Sequence, residues 1–368
     1  MERVKLFVKT VHTKSFGSYS NKDVIFLLKD ISDMLHETST MDKEEQIQSG
    51  KHYSEMLPIE NEPSKEYTNL FFSSLHSNKL KIAEAVQVIA EEIIRQKGKK
   101  TLLVSLARAG TPIGILVKRY ILAKYQISLP HYSVSIIRGR GIDENAINYL
   151  RKHYPDYEFQ FIDGWTGKGA IKLELDQSLQ TINQTNQTNI SNSIAVLADP
   201  GQCADIYGTR EDFLIPNACL NATVSGLISR TVMNRDLLSS KDFHGAKFYQ
   251  ELSPHDVSNY FIDEISAQFE SILGNTVSFK MDEPNWSGLR EVQSIQKMLK
   301  IKDKNLIKPG VGETTRVLLR RVPWKILVRD KMDKNVSHIL LLAKERKVPV
   351  EEYHLMSYSC CGIIKSIK

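Results

Sequence analysis

A chain of 368 residues with 41% hydrophobic content can bury a sizeable core, and its length is that of two or three domains. The formal net charge of +6 permits an anionic ligand without demanding one, so charge alone makes no case for nucleic acid. No long apolar run and no signal-peptide pattern is present, and the expectation is a soluble cytoplasmic protein with no membrane partner.

The four cysteines, Cys203, Cys219, Cys360 and Cys361, lack CxxC spacing. They read as reduced thiols rather than zinc ligands or a disulfide frame.

In chain order, VKLFVKTV (4–11) predicts a short strand, and VIFLL (24–28) an apolar element behind Asp23. Residues 51–67, KHYSEMLPIENEPSKEY, carry too many polar and proline breaks for a regular element. They read equally well as a hood over a site or as a surface wrap. Apolar spacing predicts an amphipathic helix over 78–98. TLLVSLA (101–107) is the continuous apolar run of a central parallel strand. A turn and helix follow over 108–125, a strand over 131–137, a basic turn and helix over 138–154, and a strand over 159–163. Repeated βα units imply right-handed crossovers and a parallel sheet covered on both faces. Ligands of such sheets bind at the carboxyl ends of the strands, where Arg108, Arg138, Arg140 and Asp163 fall.

Residues 159–171, FQFIDGWTGKGAI, combine a strand, an acid and a glycine-rich turn before a helix. That combination can cradle a phosphate, because glycine admits an anion close to backbone N–H groups and the helix N-terminus is partly positive. It is not a P-loop, since the first glycine is too close to Lys168 and no Ser or Thr follows that lysine. The polar tract at 181–193 predicts a flexible surface loop, and SIAVLADPG a further strand ending at Asp199. The density of Asn, Thr, Ser and Arg over 210–231 suggests a pocket wall, with Arg210, Asp212, Asn221 and Ser225 as contacts to an acceptor. Helices are predicted over 255–273 and 288–300, and a charged Pro-Gly linker around 300–313. Beyond it, Arg316, Arg320, Arg321, Lys325 and Arg329 cluster in a small α/β module. They make either a phosphate-backbone surface or a solvated helix face.

Several of these stretches resemble a known family. SLARAGTPIGILVKR, SIIRGRGID, FIDGWTGKGAI, LADPG, TREDFLIP and LNATVSGLISRT are together similar to the phosphoribosyltransferase-like domain found with bacterial tellurite-resistance (Ter) stress gene clusters. GSYSNKDVIFLL and GKHYSEMLPIE resemble its N-terminal part. GETTRVLLRRVPW and VPVEEYHLMSYSCCGIIK resemble the Pelota-type RNA-binding domain that follows it, a relative of the ribosomal L7Ae/L30e-like fold. The resemblance implies an N-terminal hood (1–76), a parallel doubly wound α/β domain of type I phosphoribosyltransferase kind (77–300) and a small α/β RNA-binding domain (301–368).

It further implies Mg²⁺-dependent pentosyl transfer from phosphoribosyl diphosphate to a base-like acceptor. Asp163 would bind the ribose hydroxyls, and Gly164, Trp165, Thr166, Gly167, Lys168 and Gly169 the 5′-phosphate. Arg108, Ala109, Gly110 and Thr111 would form the pyrophosphate loop, and Arg138 and Arg140 would close over the leaving group. Mg²⁺ would be held through the pyrophosphate, with help from Asp163 or Asp199. Arg316, Arg320, Arg321 and Lys325 would meet RNA. A homodimer is also an expectation. Two departures stand out, namely Gly164 in place of a second acid and a loop one residue short. One alternative is a non-catalytic sugar-phosphate sensor joined to RNA binding. The family also carries the name cysteine protease StiP, which makes a thiol hydrolase the second alternative, with Cys203 as nucleophile and His131, His244 or His255 as base.

Overall fold

The computed structural model describes residues 16–35, 37, 38, 46, 50–275 and 280–366, and the strand expected at 4–11 lies outside them. The first strands among the described residues are β1 (Ile25–Leu27) and β2 (Lys29–Asp30), and a long helix α1 spans Lys65–Lys97. Next come β3 (Thr101–Ala107), α2 (Gly110–Tyr125), β4 (His131–Ile137), β5 (Gly141–Ile142) and α3 (Glu144–His153). β6 (Glu158–Trp165), α4 (Ala170–Asn186), β7 (Ile194–Ala198) and β8 (Ile206–Thr209) complete the main sheet. Its order is β1-β4-β3-β6-β7-β8, all parallel, with β5 antiparallel beside β4. The expected α/β class and parallel sheet are present.

The central strands are apolar on both sides because helices cover both faces. Along β3, Leu103 packs in one core with α1 and α2, whereas Leu102, Val104 and Leu106 pack in another with α3 and α4. The same alternation separates Ile162 from Phe159 and Phe161 on β6, and Ala195 and Leu197 from Ile194 and Val196 on β7.

Three local expectations are corrected. α1 begins well before residue 78, where the Ser64 side chain accepts from the Tyr67 amide, and it ends at Gly98 with φ of 67°. The polar tract at 181–193 is helical as far as Asn186, because Leu179 and Ile182 still face the core. The linker read around 300–313 instead contains β10 (Ile307–Pro309), a strand of the second sheet.

Between the two sheets run β9 (Gly245–Ala246), which pairs with β2, and the helices α5 (Ser258–Ser266) and α6 (Phe269–Ile272). The C-terminal module holds α7 (Ser287–Met298), β10, α8 (Val311–Arg320), β11 (Pro323–Val328), α9 (Ser337–Glu345), β12 (Val350–Glu352) and β13 (Cys360–Ile364). Its sheet order is β10-β13-β11-β12. Cys361 and Ile363 of β13 face α7, and Cys360 faces α8 and α9. Parallel strands place Arg108, Asp163, Asp199 and Arg210 at one edge of the main sheet, and the C-terminal module is docked on that edge.

Candidate functional site

The strand-tip loop was the expected phosphate cradle, and the structure fills it with protein. β6 runs through Asp163 and Gly164 to Trp165 before the chain turns. Thr166 Oγ1 donates to Asp199, and the Gly201 amide donates back to Thr166 Oγ1 at 3.1 Å. Lys168 Nζ donates to the carbonyls of Lys304 (2.7 Å) and Ile307 (3.5 Å), and Tyr358 OH to the Gly167 carbonyl (3.1 Å). Gly169, at φ +77°, has the Trp286 ring where a Cβ would stand, and Gly288 lies against Gly201 and Tyr358 in the same way. The glycines therefore admit another segment of the chain at close approach. Burial and the neighbouring Lys308, Arg138 and Lys304 push the Lys168 ammonium down to about 8.

Asp163 accepts from the Gly164 amide at 2.7 Å, and burial raises its carboxyl to about 7. Asp199 is fully satisfied, by Thr166, the Cys203 and Ala204 amides at 3.1 and 3.2 Å, and Arg210 at 2.6 Å. A magnesium ion would have to displace those donors, and no cluster of three metal-ligating side chains exists among the described residues. Gly110 packs under the Ile162 carbonyl, and Thr111 bonds Ser133 at 2.8 Å inside the core. Arg138 reaches Asn305 at 3.1 Å, and Arg140 pairs with Glu55 at 2.7 Å.

The residues read as an acceptor wall divide. Asp212 joins the two modules: its carboxylate accepts from the Val311 amide at the start of α8 and from the Ser359 amide, both at 2.8 Å. Burial raises that carboxyl to about 6. Ser225 bonds the Asn221 carbonyl at 2.7 Å. Asn221 accepts from Arg320 and lines a cleft.

This cleft, about 650 Å³, opens between the strap 57–63, the loop after β3 and helix α8. Among the described residues its lining carries six cations, Arg108, Arg230, Lys308, Arg316, Arg320 and Arg321, against the three carboxylates Glu60, Glu62 and Glu313. Arg108 and Ala109 are the sequence candidates it brings together with Arg316, Arg320 and Arg321 of the basic cluster. Lys325 points elsewhere, to Glu351 at 2.6 Å. Arg230 escaped the sequence reading. Its guanidinium holds the strap by the carbonyls of Tyr53 (2.5 Å) and Met56 (2.6 Å), contacts between distant segments that carry no local signal.

All four thiols are buried. Burial and Asp199 push Cys203 up to about 12. Burial also lifts Cys219 to about 12, but the charges acting on it among the described residues are Arg320 and Arg316, which favour its thiolate. No imidazole bonds a thiol among the described residues. His131 bonds Ser105 (2.7 Å) and the Asp23 carbonyl (2.8 Å), His244 bonds Ser135 (2.8 Å), and His255 lies 3.4 Å from Glu62.

Residues 17–266 match the family described as "Tellurite-like stress resistance cysteine protease StiP", and residues 286–366 match the "PELOTA RNA binding domain". A curated protein of Acinetobacter baylyi, "Cysteine protease StiP", is 34% identical over 351 residues, covering 91% of this chain and 90% of its own. These matches overturn the phosphoribosyltransferase reading in favour of its thiol-hydrolase alternative, and nothing in them supports phosphoribosyl diphosphate or magnesium. The filled loop at 166–169 is the physical counterpart of that correction. The stress-resistance context and the Pelota-type C-terminal domain agree with the resemblance seen in the sequence. By the extent of both matches, the chain belongs to the StiP family of stress-resistance cysteine proteases.

Proposed function

We propose that the chain is a thiol-dependent peptidase of the StiP type, and that Cys219 rather than Cys203 is its nucleophile. The observation that carries this choice is electrostatic. Burial raises both thiols to about 12, but among the described residues the charges acting on Cys219 are the cations Arg320 and Arg316, whereas the Asp199 carboxylate opposes a thiolate at Cys203 and Asp212 opposes one at Cys360 and Cys361. Reactive thiols are found in electropositive surroundings. Cys219 also lies directly before Leu220 and Asn221 in the cleft wall, and Arg320 donates to its carbonyl at 2.5 Å.

In the described conformation the thiol is protonated, and substrate entry has to hydrate it. Sγ would then attack the peptide carbonyl carbon, the C–N bond would break with the amine taking up the proton that the thiol gives up, and water would hydrolyse the thioester to the carboxylic acid and the free thiol. Arg316 and Arg320, whose charges favour the thiolate, would also stabilise the negative charge that develops on the carbonyl oxygen.

The test is hydrolysis of fluorescein-labelled casein by wild type, Cys219→Ser and Cys203→Ser. The proposal expects a loss of at least about a hundredfold in Cys219→Ser alone. Undiminished hydrolysis by Cys219→Ser refutes it.

RNA contact by the C-terminal module is a second reading, supported by its family match. Arg316 and Arg320 face the cleft, so the exposed Lys344 and Lys347 beyond them offer the phosphate-backbone surface instead. A gel shift abolished by charge reversal at both lysines supports it, and an unchanged shift removes it.

A further inference from the structure

We propose that the cleft between the strap 57–63 and helix α8 is a binding site for a small anion carrying two or more linked phosphates. The inference does not rest on the thiol chemistry, although Arg316 and Arg320 serve both readings and the variants that test it, Arg230→Gln and Lys308→Met, lie outside that chemistry.

Charge is the first observation. The described lining residues hold three more cations than carboxylates, in a concave volume of about 650 Å³, well within the range of small-ligand sites. A single phosphate group carries roughly −2 and a diphosphate roughly −3, which matches the excess.

The second is that three of these cations, Arg108, Arg230 and Arg320, make no ion pair among the described residues, with Glu60 the one carboxylate whose charge favours Arg108 and Arg320. Arg316 has a carboxylate partner, Glu313 at 3.0 Å. Arg108, Arg230 and Arg320 have none among the described residues, and they bond only backbone carbonyls and the Asn221 amide oxygen. The Nε of Arg230 is buried with no hydrogen-bond partner among the described residues. Burial pushes Arg230 and Arg320 down to about 10, and each is lowered further by other cleft arginines, Arg108 and Arg321 in one case and Arg316 and Arg108 in the other. Folding has packed like charges together at a cost that a bound polyanion would relieve.

The third is preorganisation. Three of the guanidiniums lie over aromatic rings: Arg316 over Trp165 at 4.9 Å, Arg230 over Tyr53 at 5.4 Å and Arg320 over Tyr67 at 5.7 Å. Stacking and the carbonyl bonds hold the planes in place before any ligand arrives, so less side-chain entropy is lost on binding. A planar, fixed fork suits phosphate oxygens, which it can meet two at a time. RNA, with one charge per nucleotide along an extended backbone, would spread its charge beyond so compact a cleft.

The experiment is titration calorimetry of the full chain with inorganic pyrophosphate, ADP, orthophosphate and a single-stranded RNA twelve-mer without terminal phosphates. The proposal expects pyrophosphate and ADP to bind with Kd near 10 µM, about −7 kcal/mol, and orthophosphate at least tenfold more weakly. Tighter binding of ADP than of pyrophosphate would assign the source as a nucleotide, and equal binding would assign it to the diphosphate alone. Arg230→Gln and Lys308→Met should each weaken pyrophosphate at least tenfold. Lys308→Met keeps the test valid if Arg230→Gln loosens the strap, because Lys308 lines the cleft from β10 rather than from the strap. No binding of pyrophosphate or ADP by folded wild type overturns the proposal. Binding of the RNA alone, weakened by the same substitutions, overturns it in favour of a nucleic-acid groove.

Discussion

Asp212→Asn tests how the two modules are joined. The carboxylate is buried between the Val311 and Ser359 amides, and burial raises its folded pKa from 3.8 to about 6. A carboxyl that is harder to ionise in the folded state binds more protons there than in the unfolded state. Its contribution to stability is therefore present below 3.8 and is lost as pH rises towards 6. At about 1.4 kcal/mol per unit, roughly 3 kcal/mol is lost across that window. Asparagine has no such titration, but it turns an NH₂ against one of two backbone donors, at about 1–3 kcal/mol. The variant should be less stable than wild type by about that amount at pH 4, and it should draw level or pass it by pH 7. Guanidinium unfolding followed by tryptophan fluorescence suits the test, since Trp165 and Trp286 both sit at the junction. Other carboxylates titrate equally in both proteins, so the difference curve isolates residue 212. A difference that stays flat from pH 4 to 7 refutes the reasoning.

Asp163, whose carboxyl is raised to about 7, follows the same sign, and Asp163→Asn should gain stability over wild type between pH 4 and pH 8 in the same unfolding assay. Gly169→Ala meets both a φ of +77° and the Trp286 ring, so it should cost more than about 1 kcal/mol and lower the melting temperature by several degrees in calorimetry. With all four thiols buried and those of Cys203, Cys219 and Cys361 pushed up to about 12, iodoacetamide at pH 8 should label folded protein far more slowly than urea-unfolded protein, read by intact mass. If the cleft holds a polyanion, pyrophosphate should slow labelling of Cys219 further while leaving Cys361 unchanged.

How far the sequence could be read depended on whether the determining contacts were local. TLLVSLA and HYSVSII declare themselves as strands by their runs of Leu, Val and Ile, and in the fold both faces are covered and nearly every residue is buried. The start of α1 was hidden by the Thr, Asn and Ser around Tyr67, Leu70, Phe71 and Leu75, although those four keep helical spacing. The stretch FQFIDGWTGKGAI misled for a deeper reason. Glycines at a strand tip announce that something approaches the backbone closely, and they do not say whether it is an anion or another part of the chain. Here it is Trp286, Gly201 and Tyr358, more than thirty residues away in every case. The same limit applied to Arg316 and Arg320. Their helical spacing suggested an exposed basic face, whereas contacts with Ala218, Cys219 and Asn221 turn that face into a cleft wall.

The account rests most heavily on Cys219 as the working thiol. The direct measurement is to incubate the protein, during casein hydrolysis, with an epoxysuccinyl peptide that alkylates active thiols, and to map the adduct by peptide mass spectrometry. The account predicts one adduct, on Cys219, that accumulates in step with the loss of hydrolysis. An adduct on Cys203, or hydrolysis that ends with Cys219 unmodified, would contradict it.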